Sequence, residues 1–549
     1  MPPRQTYGKR SRAVYDPHAV LASPARKSPA AAEVSVAEVV EELGLLSFGD
    51  EVKGSGGRRK RGVLGEVSVN VDVGMERSLG LSEDGGKKGQ GGRREVVLYE
   101  EAGHSAVEED HDDSLELIGI SSHDMISFQE WADQLCAHFE LTKIAEASFG
   151  EVYRLSLRER ISGIDRSDES VFKIIALRPS ESTFRSKRKP ATSARQTTSM
   201  SSPADVANEV KLLQRMSAIP GFTNFRDLRI VQGRPPAVFA QAYKAFNAAQ
   251  QARNKDLSHF PDPGKRASYA SDQLWAVIEM QDAGIDLERL VEQRQSSTSI
   301  FFVWDVFWQV VLSLAKGEEG AEFEHRDLHL GNICVHLPAA NNDGPIDAKR
   351  KLNFTDVETT IIDYTISRCR MQDDNIAYHD LARDSALFEG DSSEEYQYDI
   401  YRYMRGAALC GDPYAAHFPA ESEDGRWMHY HPITNLIWLH YILYKLLEQV
   451  AWPSAERAPS RKRKEEYARW KRGNDLEYIL LSLQDLLDPG RLCEAGELGF
   501  ASDLVGLALE EGWLDVEDVV GGAVEEEEVE DGGVSGLFEQ LERLNLAAE

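Results

Sequence analysis

Residues 323–335 read FEHRDLHLGNICV, and their reading decides the fold. Upstream, FVWDVFWQVVLSLA at 302–315 is a dense apolar run of helical character; downstream, the short apolar ICV reads as a strand. Between them stand His325, Arg326, Asp327 and Leu328, with Asn332 five residues after the aspartate. That spacing has a chemical reason: Asp327 reaches a hydroxyl attacking a terminal phosphate, while Asn332 turns back to hold a magnesium ion beside the same phosphates. His325 braces this loop rather than binding metal.

The pattern H-R-D-L-x-x-x-N is that of a protein-kinase catalytic loop, and it predicts partners on both sides. Downstream, VETTIIDYTISR at 357–368 sets Asp363 after a β-branched run that reads as a buried strand, where a second magnesium-binding aspartate belongs. Tyr-Thr follows it where most kinases have Phe-Gly. Upstream, SVFKIIAL at 170–177 alternates as a strand and carries Lys173, placed to bind phosphate. The expected partner is Glu209 on a helix within SPADVANEVKLLQRM, 202–216. Ser202 caps that helix, Pro203 suits its first position, and Asp205 suits its positive end. Val206, Val210 and Leu213 form its apolar stripe. Taken singly, Lys173 and Glu209 also read as surface charges.

Three further segments complete the expected nucleotide site. IAEASFGEVYRL, 144–155, occupies the place of a G-x-G-x-x-G loop with Ala145, Ala147 and Gly150, followed by Val152. Two missing glycines stiffen a backbone that must approach phosphates closely. LWAVIEMQDAGIDLERL, 274–290, reads as a strand ending near Glu279, a linker through Gly284, and a helix start. Backbone groups of Gln281 and Ala283 are expected at adenine and Asp286 at the ribose, with ATP and Mg2+ as cofactors. Neither a G-x-x-x-x-G-K-[ST] loop nor H-E-x-x-H occurs.

The chain has 549 residues and a net charge of −30, which argues against indiscriminate nucleic-acid binding and for a basic partner. Its 42% hydrophobic content excludes wholesale disorder. Cys136, Cys334, Cys369, Cys410 and Cys493 never form a CxxC, which reads as a reducing compartment. No stretch reads as the roughly 18 apolar residues that span a bilayer, so a soluble intracellular protein without a membrane partner is expected.

Residues 1–125 read as a mostly disordered extension with short helical pieces near 39–46. Its basic run Arg58-Arg59-Lys60-Arg61 is a nuclear import signal or a solvated charge run. Residues 126–514 form the expected folded unit, with an N-lobe at about 126–280 and a C-lobe at about 285–514. A Ser/Thr-rich basic insert at 178–202 reads as a flexible loop. Residues 515–549 read as an acidic tail, solvated or a docking peptide, with Leu537, Leu541 and Leu544 on one helical face. The fold class is α+β: a two-lobed protein-kinase-like fold with a small β-rich N-lobe and a larger helical C-lobe.

With these residues assembled, the sequence resembles the haspin family of atypical eukaryotic Ser/Thr kinases, as a fungal-type member. FEHRDLHLGN and IIDYTISR carry the likeness, as do IEMQDAGIDLERL, EYQYDIYRYMR (395–405) and HYHPITNLIWLHYIL (429–443). It extends over about 128–447 and more loosely to 514. The resemblance implies phosphorylation of a threonine in the N-terminal tail of histone three, on mitotic chromatin. It implies a nuclear monomer that is chromosome-associated in mitosis, with a cytoplasmic fraction and chromatin-associated partners but no sequence-specific nucleic-acid binding. Glu288 and Asp384, with Asp380 and His329, fall where the basic tail is bound, and Ala386 stands at one acidic family position. No Ala-Pro-Glu segment lies between Asp363 and Asp399, so activation by loop phosphorylation is not expected. The alternative, favoured by Ala145 and Ala147, is a catalytically weak kinase-fold scaffold holding a chromatin partner.

Overall fold

The computed structural model describes residues 117–520 apart from 122, 148–149, 159–169, 180–198, 295–297, 338–345, 416–417, 419–424 and 496–497. The extension before Leu117, with its 39–46 pieces and basic run, lies outside the described residues, as do the centre of the insert and the tail with its leucine face.

Alternation builds the first layer. β1 (Ile126–Ser127), β2 (Phe139–Glu146), β3 (Glu151–Leu157), β4 (Ser170–Ala176), β5 (Phe225–Gln232) and β6 (Leu274–Gln281) form a sheet in the order β1-β5-β6-β4-β3-β2, antiparallel except at β1-β5. On β4, Phe172, Ile174 and Ala176 face one side while Lys173 and Ile175 face the other. The outer side is covered by α1 (Phe128–His138) and α3 (Ala237–Ala252), whose Phe128, Trp131 and Phe239 pack with Phe172 and Trp275. The inner side receives α2 (Pro203–Met216). Ser202 caps α2 by accepting the Asp205 N–H at 3.1 Å, and Val206, Val210 and Leu213 are buried. Each such aliphatic side chain contributes about 1.5–3 kcal/mol by leaving water.

The folded unit begins earlier than the composition suggested. Leu117 is buried in the main core, Ser121 Oγ donates to Leu228 O at 3.0 Å, and His123 Nε2 meets Asp227 at 3.0 Å. The insert is anchored at both ends, with Arg178 N–H to Ser201 O at 2.9 Å and Ser201 N–H to Ala176 O at 3.0 Å.

After a short linker come β7 (Ile285–Asp286), α4 (Leu287–Arg294), β8 (Thr298–Ser299) and α5 (Ile300–Ala321). By length and composition α5 is apolar enough to cross a membrane, contrary to the reading of the sequence. It is instead a core helix, buried almost all round because α7 (Ile433–Glu448) and its other neighbours enclose it. α6 (Gln397–Cys410) precedes α7 in the chain and packs against it. Between the lobes, β9 (Ile333–His336) pairs antiparallel with both β7 and β10 (Glu358–Ile361). The register Ile333 opposite Ile361, continued by Ile362 N–H to Asn332 O at 3.0 Å, sets Asn332 beside Asp363.

Candidate active site

Lys173 is buried on β4, and its ammonium contacts Glu209 of α2 while lying 3.9 Å from Asp363 Oδ1. The expected ion pair is formed, and Glu209 is 8% exposed rather than a surface charge. Burial opposes charge on Lys173, yet Asp363 and Glu209 hold its pKa above the ordinary value. Burial likewise pushes Glu209 up against the contacting ammonium. The geometry is that of an ion pair, with the Lys173 ammonium between the carboxylates of Glu209 and Asp363. Burial also opposes ionisation of Asp363, but Lys173 and the hydrogen bonds from Thr365 outweigh it and hold the carboxyl low.

The Tyr-Thr departure after Asp363 has a structural content. Asp363 has a left-handed backbone (φ 61°), and Oδ1 accepts from Thr365 N–H at 3.2 Å and Thr365 Oγ1 at 2.5 Å. The threonine thus caps the turn with its own hydroxyl. Tyr364 is fully buried among Phe222, Phe323 and His325. Its hydroxyl donates to Ile361 O and accepts the Thr223 N–H, each at 2.9 Å.

The catalytic loop is clamped through its backbone. Asn332 Nδ2 donates to Asp327 O at 2.8 Å, which leaves the amide oxygen as the acceptor for a cation. Asp327 N–H donates to His325 Nδ1 at 3.3 Å, so Nε2 carries the ring proton and donates to Ile362 O at 3.1 Å. Burial pushes His325 down to about 4, keeping it a neutral brace. Burial pushes the Asp327 carboxyl up, opposed by His329 and by the Tyr401 hydroxyl that donates to Oδ1. His329 Nδ1 accepts the Gly331 N–H at 3.0 Å and caps the turn leading to Asn332.

Around the nucleotide loop, Val152 lies opposite Lys173 on the same sheet face, and Ala145 lies opposite Val152 across a bulge. Ala147 N–H donates to Gly150 O at 2.8 Å. A Cβ on Gly150 would stand 3.0 Å from Ile175 Cγ1 and 3.1 Å from Lys173 Cγ, a reason for glycine there. Behind the loop, Lys143 Nζ contacts Glu146 Oε1 and Glu151 Oε2 at 2.5 Å each and faces the rings of Tyr243, Phe246 and Phe260. Glu146 in turn meets Ser258 Oγ and the His259 N–H, from the segment following α3. None of this brace was read from the sequence.

One linker expectation is corrected. Glu279 pairs with Phe172, whereas Ile278 pairs with Lys173, so strand alternation turns the Glu279 side chain away from the nucleotide face. There it accepts from Ser170 Oγ at 2.6 Å, and Ser170 accepts from Arg226 Nη1 at 2.6 Å. The Gln281 N–H donates to Asn224 O at 3.0 Å, and its side-chain oxygen accepts from Asn224 Nδ2 at 2.5 Å. Ala283 lies on the partly exposed linker, and Asp286 accepts the Arg289 N–H at 2.8 Å at the start of α4. Gly284 has φ 95°, and a Cβ there would stand 2.8 Å from the Val335 carbonyl carbon. Arg154 of β3 straps the linker, its Nη2 lying 3.0 Å from both Asp282 Oδ1 and Gly284 O.

The expected substrate acids divide. A Cβ on Gly331 would lie 3.2 Å from Glu288 Oε2, so this exposed glutamate borders the catalytic loop. Asp384 is half-exposed, 2.5 Å from His379 Nε2. Asp380 caps a short turn through Ala382 N–H at 3.3 Å and lies 3.5 Å from Arg383, so it is committed to the loop. Ala386 is exposed in the turn Ser385–Phe388. Among the described residues no cluster of three or more His, Cys, Asp or Glu side chains is arranged to hold a metal by itself.

A family model described as "Haspin like kinase domain" matches residues 98–470. The chain is 31% identical over 326 residues to the serine/threonine-protein kinase haspin homolog of Drosophila melanogaster, covering 57% of this chain and 49% of that protein. It is 30% identical over 262 residues to serine/threonine-protein kinase haspin of Bos taurus, covering 47% and 30%. With the haspin homolog of Schizosaccharomyces pombe it shares 27% over 349 residues, covering 60% and 59%. The matches therefore span less than two thirds of the length of each of these relatives.

Proposed function

Because the chain belongs to the haspin-like kinase family, we propose that it is a Ser/Thr protein kinase that moves the γ-phosphoryl group of ATP to a threonine in the N-terminal tail of histone three. The observation that carries this reading is the convergence of Lys173, Glu209 and Asp363 in one buried contact set beside the Asp327–Asn332 loop. Asp327 takes the threonine hydroxyl proton as the bond from Oγ to the γ-phosphorus forms. The bond to the β–γ bridging oxygen breaks, and ADP leaves with that oxygen's electrons. Lys173, oriented by Glu209, draws charge off the phosphates. Magnesium, when bound with the nucleotide, neutralises phosphate charge, and Asn332 and Asp363 are the residues whose oxygens suit it.

Glu288, which borders the catalytic loop, and the half-exposed Asp384 support a basic substrate, since acidic side chains attract and orient a polybasic tail. The same reading places the protein in the nucleus on mitotic chromatin. The test is an assay of the full chain with magnesium ATP and an N-terminal histone-three peptide, mapped by mass spectrometry. Threonine phosphorylation is expected from the wild type. Asp327→Asn is expected to lose about a hundredfold or more in turnover while still binding nucleotide; wild-type turnover in that variant overturns the assignment.

A further inference from the structure

The backbone of Asp327 and its carboxylate are held by different parts of the chain. Asn332 Nδ2 and the His329 N–H, at 2.8 and 3.0 Å, fix the Asp327 carbonyl. The carboxylate is reached from α6, 74 residues on in sequence, where the Tyr401 hydroxyl donates to Oδ1. Gln397 Nε2 lies 3.4 Å from the same oxygen and 3.0 Å from the Tyr401 hydroxyl. Gln397 and Tyr401 are four residues apart on one helix, so their side chains share a face. Tyr401 is 1% exposed, and its ring sits edge-on to Trp438 at 5.2 Å. A phenol has a single proton; with the Gln397 amide donating to its oxygen, that proton is directed to Asp327. Among the described residues no hydrogen bond is made to Asp327 Oδ2.

We propose that Tyr401, seated by Gln397, is a positioning residue for phosphoryl transfer, turning the Asp327 carboxylate so that Oδ2 faces the attacking hydroxyl. This rests on the kinase reading above. The terminal torsion of an aspartate is broad and roughly two-fold, so an unheld carboxylate samples orientations that miss the hydroxyl. Small misplacements of a reacting group cost rate steeply. Among the described residues the Tyr401 hydroxyl is hydrogen-bonded to Asp327 and Gln397 and not to Lys173, Glu209, Asn332 or Asp363, so its effect is expected at the proton acceptor.

The test compares full-length wild type, Tyr401→Phe, Gln397→Leu, Asp327→Asn and the Tyr401→Phe/Asp327→Asn double variant on one peptide. Phenylalanine retains the ring against Trp438. The expected result for Tyr401→Phe is a kcat lower by about ten- to a hundredfold, with KM for ATP and for peptide within about twofold and an unchanged thermal midpoint. Gln397→Leu shifts kcat in the same direction by less. The double variant is no slower than Asp327→Asn, because the tyrosine acts only through that carboxylate. An unchanged kcat overturns the proposal. So does a loss shared with thermal stability and both KM values, or a double variant in which the two losses multiply. A wild type that transfers no phosphate overturns the kinase reading and the inference together; an active wild type with an unimpaired Tyr401→Phe removes the inference alone.

Discussion

Arg326 Nε stands 3.1 Å from Glu324 Oε2, with neither side chain reaching solvent. Arg326 also donates to Trp427 O at 2.7 Å, while Glu324 accepts from His431 N–H at 2.7 Å and Thr434 Oγ1 at 3.1 Å. The arginine beside Asp327 thus has an internal carboxylate where a regulated kinase would offer it a phosphate. Protein made in a host without eukaryotic kinases is expected to be fully active, and phosphatase treatment is expected to change nothing. Glu324→Gln strands a buried guanidinium, which costs about 3–5 kcal/mol of stability. Denaturant unfolding measures it, and a variant as stable as wild type would refute the pairing.

At the linker, Gly284→Ala is expected to destabilise the protein by about 2 kcal/mol or more, because the new Cβ meets the Val335 carbonyl and the backbone is left-handed. Calorimetry reports the loss as a lowered thermal midpoint. A midpoint within a degree of wild type would show that the linker relaxes without consequence.

Replacing Glu288 by Gln and Asp384 by Asn together is expected to raise the peptide KM and flatten its salt dependence, sparing the KM for ATP. Because both acids are at least partly exposed, each contributes up to about 1 kcal/mol. The comparison needs peptides with and without basic flanking residues at low and physiological ionic strength. If the double variant discriminates between them as well as wild type does, these acids are not the specificity surface.

His440 supplies a pH dependence. Gln484 Nε2 donates to its Nδ1 at 2.9 Å, Tyr396 Oη lies 3.0 Å from Nε2, and burial pushes its pKa down from 6.5 to about 4. A base held low binds fewer protons folded than unfolded, so the stability it contributes is complete above pH 6.5 and is lost as pH falls through 4. Between pH 7 and pH 5 the wild type is expected to lose about 2 kcal/mol more than His440→Gln, whose amide does not titrate. Parallel pH profiles in urea unfolding would place the titration elsewhere.

The Asp327–Asn332 loop and the Lys173–Glu209 pair were legible because phosphate chemistry ties those residue types to fixed spacings on recognisable strands and helices. The Ser202 cap was legible because capping is local. Tyr401 was not, although its segment carries part of the family likeness: its meaning depends on a contact 74 residues away. The face taken by Glu279 was equally hidden, since a strand buried on both sides shows no alternation to read. Leu117 fell below the composition boundary because one buried leucine does not change the average of a polar segment. The apolar α5 was underread because two tryptophans, an aspartate and a glutamine interrupt its aliphatic run.

The brace behind the nucleotide loop bears on how long product stays. Lys143, Glu146 and the Ser258–His259 segment hold the end of β2 from outside, so its order does not depend on what lies in the cleft. Less ordering then remains to be done when a nucleotide arrives, and less disorder is regained when it departs. A binding edge stiffened from behind favours long residence over rapid exchange, and the dwell time of ADP is where loosening α3 and the segment after it would first be felt.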